Sequence, residues 1–130
     1  MISRENALKL IKTYGQAWET KDSELIATIF NEDAIYFDPK EPLNIGIGAI
    51  KEYWKNKVIG EQDEIKFELK NLWIDGNYVI AEWNAKFKDI KRNLLIDMNE
   101  VAIFLVKNGK FSSLREYYKS IKIPLLEIRK

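Results

Sequence analysis

Apolar residues recur every three to four positions near the start of the chain. Ala7, Leu8, Ile11, Tyr14, Gly15 and Trp18 fall on one face and predict a first helix. Asp22 or Ser23 is placed to cap a second helix, with Leu25, Ile26, Ile29 and Phe30 as its buried stripe. The pattern then turns to a strand from Ala34 to Phe37, ended by Asp38-Pro39, because the proline holds Asp38 extended. Pro42 to Gly48 reads as a loop. Gly48 leads into a third helix with Ile50, Tyr53, Trp54 and Val58 on one side. The GIG at Gly46 to Gly48 is a loop-to-helix joint, since no second half of a dinucleotide fingerprint follows it.

From Ile65 onward the period drops to two. Ile65 to Ile74 and Tyr78 to Lys88 are joined by Asp75-Gly76, and Leu94 to Lys107 and Lys110 to Lys119 by Asn108-Gly109, both tight-hairpin signals. Arg92-Asn93 lies in the looser turn between the two pairs. The order α-α-β-α followed by four antiparallel strands predicts a single α+β domain over residues 1–130. Its three N-terminal helices pack on the concave face of a curved antiparallel sheet.

Alternation within the strands sorts the faces. Ala81, Trp83, Ala85 and Phe87 point inward and Glu82 outward. On the last strand, Ser112, Leu114, Glu116 and Tyr118 alternate with Phe111, Ser113, Arg115 and Tyr117, and periodicity alone does not choose between the sets. The long strand is apolar on both faces, with Val101, Ile103 and Leu105 set against Ala102, Phe104 and Val106. A sheet covered by helices on one side should be polar on the other. Together with Leu72 and Ile74, this predicts a homodimer through the outer face.

Composition narrows the chemistry. With 21 basic and 20 acidic residues the net charge is +1, so no nucleic-acid or anionic-membrane partner is expected. The lysine-rich stretch KFKDIKR, Lys86 to Arg92, reads as a solvated hairpin. Met1 to Gly15 lacks the pattern of a signal peptide and no apolar run is long enough to span a membrane, so a cytoplasmic location is expected. Cysteine and histidine are both absent. Thiolate chemistry, serine–histidine devices and the usual zinc sites are therefore excluded, and no metal or organic cofactor is expected. Acid–base work falls to carboxylates, tyrosine, lysine or bound water.

Asp38 has two readings: a solvent-exposed turn aspartate, or a base lining a cavity where desolvation tunes it. Tyr14 reads either as a core tyrosine with a satisfied hydroxyl or as a hydrogen-bond donor to substrate. Trp18, Trp54, Trp73 and Trp83 are core residues first, with at least two free to shape a pocket wall. The tail, with Ile121, Ile123, Leu125, Leu126 and Ile128, packs either over the open end of the cone or against a partner.

Four segments carry a family resemblance over nearly the whole chain: YxxAW at Tyr14 to Trp18, IATIFNEDAIYFDP at Ile26 to Pro39, GAIKEYW at Gly48 to Trp54, and GKFSSLREYY at Gly109 to Tyr118. Together they resemble the nuclear transport factor 2-like superfamily of cone-shaped α+β domains, and within it the SnoaL-like polyketide cyclases and ketosteroid isomerases. The resemblance implies a cofactor-independent isomerase or cyclase acting on a hydrophobic carbonyl compound, or a non-catalytic binding or dimerisation module on the same scaffold.

By that resemblance, a helix-one tyrosine donating to an oxyanion falls on Tyr14, and the proton-moving carboxylate before a proline falls on Asp38. The protonated acid of the long strand has no clean match: the alignment lands near Val101 or Ala102, with Asp97 and Glu100 displaced. The resemblance also turns Ser112, Leu114, Glu116 and Tyr118 inward. Glu116 then becomes a second acid or ligand anchor, and Trp18, Tyr36, Trp54, Trp83, Leu114 and Tyr118 become ligand-wall residues. Scytalone dehydratase-like chemistry needs histidine. An aspartate–arginine–aspartate set of the limonene epoxide hydrolase kind is not assembled, because Arg115 is expected to face outward.

Overall fold

The structure, a computed structural model, describes residues 1–125. The first helix, α1, spans Arg4–Glu19 and is opened by Ser3, whose hydroxyl accepts from Asn6 N at 3.1 Å. Its buried face holds Ala7, Ile11, Tyr14, Gly15, Ala17 and Trp18, as the periodicity requires. A Cβ at position 15 would collide with the Phe67 ring, so glycine there lets the helix lie close on the sheet.

The second helix, α2, is shorter than the pattern suggests. It covers Ser23–Ala27, capped by Asp22 Oδ1 on Glu24 N (3.0 Å) and Leu25 N (2.9 Å). Ile29 and Phe30 are buried as expected, yet Phe30 already opens strand β1, Phe30–Phe37. An apolar run of this length satisfies both periods, and pairing with the last strand decides it. The supposed loop contains a two-residue strand, β2 (Asn44–Ile45), which pairs antiparallel with β1. The third helix, α3, runs Ile47–Trp54 and continues into one π-turn at Lys55–Ile59.

Strands β3 (Gln62–Asp75), β4 (Tyr78–Asp89), β5 (Leu94–Lys107) and β6 (Lys110–Pro124) form the antiparallel body. The first hairpin turns on Gly76-Asn77, one residue later than Asp75-Gly76. The second turns on Asn108-Gly109, both at positive φ (54° and 76°), the geometry that favours this pair. The sheet order is β2-β1-β6-β5-β4-β3, and β1 runs parallel to β6, so the sheet is mixed. The tail follows β6 to Pro124, with Ile121 and Ile123 paired to Asp97 and Leu95. It neither plugs the cone nor leaves the sheet there. Leu126 and Ile128 lie outside the described residues.

Two bulges correct the alternation arguments. On β3 the register slips between Leu69 and Asn71, which sends Leu72 into the core and turns Trp73 outward, 52% exposed. Leu72 is therefore not an outer-face residue, and Ile74 packs partly against the core. On β6 an extra residue at Ser112 lets both Phe111 and Leu114 face the core. Beyond it the phase is the expected one: Glu116 is buried, Arg115 and Tyr117 are exposed. The concave side is packed with Tyr14, Trp83, Phe67, Phe104 and Phe111, whose rings meet at 4.2–6.2 Å.

Candidate functional site

Between α1, α3 and the concave sheet lies a cavity of about 300 Å³. Of the carboxyls that line it, three have no cationic partner among the described residues: Asp38 (3% exposed), Glu100 (3%) and Glu116 (5%). They arrive from different elements because each strand delivers alternate residues to this face. Asp38 follows the last residue of β1. Glu100 and Glu116 are diagonal neighbours on β5 and β6, where Glu100 pairs with Tyr118 and Glu116 with Ala102.

Asp38 keeps the turn of its first reading but not the solvent exposure. Its Oδ1 accepts from Lys40 N at 3.0 Å and its carbonyl from Glu41 N at 3.1 Å, so it builds the turn. It is nevertheless buried and lines the cavity. Tyr118 donates to Oδ1 at 2.7 Å and Tyr53 to Oδ2 at 2.5 Å.

Glu116 sits deeper. Tyr14 and Tyr36 both donate to its Oε1, at 2.7 and 2.9 Å, with their hydroxyl oxygens 3.2 Å apart. Tyr14 is thus both a core tyrosine with a satisfied hydroxyl and a cavity residue. Its donor is directed at Glu116 rather than at open space. The Glu100 carboxyl hydrogen-bonds Glu116, and its Oε2 has no partner among the described residues.

Burial sets the protonation of this pair. Glu116 is pushed up to about 7, first by desolvation and then by the charge of Asp38, against the hydrogen bonds from Tyr14, Glu100 and Tyr36. Glu100 is raised well above the ordinary range by desolvation, then by the charge of Glu116 and the hydrogen bond it gives that group. Trp83 Nε1 acts weakly in the opposite sense but lacks hydrogen-bond geometry. Near neutral pH the pair therefore keeps a proton, held by Glu100 and donated to Glu116. Desolvation also raises Tyr14, Tyr36, Tyr53 and Tyr118, so all four hydroxyls stay protonated and act as donors.

The walls agree in part with the sequence. Trp18, Tyr36, Trp54 and Tyr118 line the cavity, whereas Trp83 and Leu114 are fully buried beneath it. Trp18 is anchored by Nε1 donating to Gln62 Oε1 at 2.7 Å, while Trp54 Nε1 has no partner. At the mouth, Lys57 pairs with Glu41 (2.7 Å), and Arg92 with Glu61 and Asp89 (both 3.0 Å). No three carboxylates among the described residues converge on a point where a metal ion would sit. No helix among them is long and apolar enough to cross a membrane.

Two residues escaped the sequence reading. Glu100 was set aside as displaced, although it shares parity with Ala102, Phe104 and Val106, and that parity was the available signal. The bulge at Ser112 shifts which β6 residues stand opposite β5. Tyr53 was read as part of the apolar helix face, and nothing in the pattern distinguished its hydroxyl.

A family model described as a SnoaL-like domain matches residues 11–114. No curated protein matches the sequence. Among solved structures, the epoxide hydrolase/cyclase-like enzyme SalBIII, with a role in pyran ring formation in polyether salinomycin, is 23% identical. It covers 92% of this chain and 95% of its own, with a TM-score of 0.77. An M. tuberculosis LEH-like epoxide hydrolase is 15% identical, covering 88% and 84%, with a TM-score of 0.74. A protein of ketosteroid isomerase-like fold from Catenulispora acidiphila is 15% identical, covering 85% of each chain, with a TM-score of 0.76. At these identities the likeness is one of fold.

Proposed function

This chain belongs to the SnoaL-like domain family, and from that premise we propose that its cavity is the site of a cofactor-independent acid–base isomerase or cyclase. The substrate is a small hydrophobic carbonyl compound. The observation that carries this reading is the pairing of a proton-holding carboxyl couple, Glu100–Glu116, with a separate carboxylate, Asp38, across one aromatic cavity. A proton-holding couple and a separate carboxyl supply between them the acid and the base that enolisation or ring closure requires. Asp38 takes the proton from the substrate. Glu100, which holds the couple's proton, turns it from Glu116 to the developing oxyanion, and Tyr14 and Tyr36 hold Glu116 beside it. Trp18, Tyr36, Trp54 and Tyr118 enclose the hydrophobic part of the substrate.

The test is a thermal-shift screen of hydrophobic carbonyl compounds, followed by turnover measurements on hits and on Asp38→Asn. Loss of at least about 100-fold in rate is expected for removal of a general base. Unchanged turnover in Asp38→Asn removes Asp38 from the reaction.

A second copy of the chain is the partner we assign to the outer sheet face. Across neighbouring strands that face carries Ile45 (65% exposed), Ile35, Tyr117 (47%), Val101, Tyr78 and Trp73, with Arg115 among them and Glu82 directly opposite Val101. Asn71 bonds Glu82 and Asn84 bonds Asp97. Exposed apolar side chains of this size on one sheet face are the surface that self-association covers. Sedimentation of the wild type should give a dimer and Trp73→Lys a monomer. A monomeric wild type at tens of micromolar rejects the assignment.

A further inference from the structure

We propose that the occupant of this cavity carries a protonated amine, seated between the Glu100–Glu116 couple and Asp38 and enclosed by aromatic rings. The inference rests on the reading of this cavity as the ligand site, and it names the substrate class: a hydrophobic carbonyl compound bearing a basic nitrogen.

The first argument is an imbalance of charge. Every donor that reaches Asp38 or Glu116 is neutral: the Tyr53, Tyr118, Tyr14 and Tyr36 hydroxyls, the Lys40 backbone N–H and the Glu100 carboxyl. No lysine or arginine pairs with any of the three buried carboxyls among the described residues. Of the cations that line the cavity, Lys57 and Arg92 are engaged by Glu41, Glu61 and Asp89. Lys40 Nζ lies over the Tyr118 ring at 5.2 Å, and neither it nor Lys122 pairs with Asp38, Glu100 or Glu116 among the described residues. Buried carboxylates are normally paired, so the missing positive charge falls to the ligand.

The second argument is independent of charge. Glu100 lines the cavity, and its buried Oε2 has no hydrogen-bond partner among the described residues, so a donor is wanted at that point. An ammonium group supplies three donors and a charge together. The rings of Tyr14, Trp54, Tyr53 and Tyr118 line the same space, and aromatic faces attract organic cations. A metal ion does not fit, because no three carboxylates converge on one point among the described residues.

The titratable groups facing the site are Tyr14 from α1, Tyr53 from α3 and Lys57 from the π-turn after it, Tyr36 and Asp38 from β1 and its exit with Lys40 and Glu41 just beyond, Glu61 ahead of β3, Asp89 and Arg92 at the β4–β5 turn, Glu100 from β5, and Glu116, Tyr118 and Lys122 from β6. A ligand cation among them favours the ionised form of Glu116, which otherwise titrates at about 7. Binding near neutral pH then releases protons.

Calorimetry at pH 7 with 2-phenylethylammonium, 2-phenylethanol and 3-phenylpropanoate separates cation, neutral isostere and anion. The cation is expected to bind at least about tenfold tighter than the alcohol, with the propanoate weakest. Repeating the titration in two buffers of different ionisation enthalpy should reveal proton release for the cation alone. Glu100→Gln, checked for folding by its melting curve, should reduce the cation's advantage to about threefold or less while leaving the alcohol's affinity in place. Equal or tighter binding of the alcohol or the propanoate overturns the proposal, as does failure of the cation to bind at millimolar concentration. The two readings fail separately. Asp38-dependent turnover of neutral ketones with no preference for amines removes the amine and keeps the chemistry. Amine binding without Asp38-dependent turnover of any amino ketone does the reverse.

Discussion

Asp38 and Glu116 are both buried carboxyls, each clasped by two tyrosine hydroxyls within one cavity, yet their settings differ. Asp38 stands at a strand exit, where its own turn gives it a backbone N–H as well. Glu116 stands in mid-strand, its hydrogen bonds come only from side chains, and a second carboxyl presses against it. The contrast teaches that two tyrosine donors alone do not keep a buried carboxyl ionised. Desolvation and then the charge of Asp38 raise Glu116 against the hydrogen bonds from Tyr14, Glu100 and Tyr36.

The largest expected effect separates the two by stability. Glu116→Ala leaves the Tyr14 and Tyr36 hydroxyls without an acceptor and opens a void, costing about 3 kcal/mol. Asp38→Asn keeps an acceptor for its tyrosines and should cost about 1 kcal/mol. Urea denaturation of both variants checks the difference, and equal losses would break the comparison.

Next in size is the dependence of stability on pH. Glu116 titrates near its ordinary 4.5 in the unfolded chain and at about 7 in the fold, so the folded state binds more protons between those values. Its contribution is fully present below about 4.5 and is lost as pH rises through about 7. Melting temperatures should therefore fall from pH 5 to 7.5, and the fall should be shallower in Glu116→Gln. A rising profile that the variant leaves unchanged would contradict the pair's role.

Smaller shifts sharpen the same contrast by their signs. Tyr14→Phe removes a hydrogen bond that favours charged Glu116, so its titration should move upward. Asp38→Asn removes a charge that opposes ionisation, so the titration should move downward. Carbon-detected NMR of glutamate side chains resolves both directions, and shifts of the same sign would show that Asp38 acts on the pair by something other than charge.

How much of this was legible in the sequence follows from how local each determinant is. Helix faces and hairpins depend on residues a few positions apart, so α1 and the Asn108-Gly109 turn were read correctly. Bulges depend on a partner strand, and they moved Leu72, Trp73 and Ser112 out of their expected phase. The Asp38-Pro39 dipeptide announced a turn, but not that β1 would lie parallel to β6 and bring Tyr118 within 2.7 Å of it. Glu100 was the costliest omission, because its meaning depends entirely on Glu116 across the sheet. The resemblance placed Tyr14 and Glu116 correctly in the cavity, without indicating that they bond each other.

The most direct test is a pH titration of Glu100 and Glu116 in the wild type, followed by selectively labelled side-chain carboxyl carbons. Glu116 should titrate at about 7, with Glu100 still protonated above that point. Two ordinary titrations between pH 4 and 5 would mean that no proton is held in the cavity at neutrality, and the proposed acid would be lost.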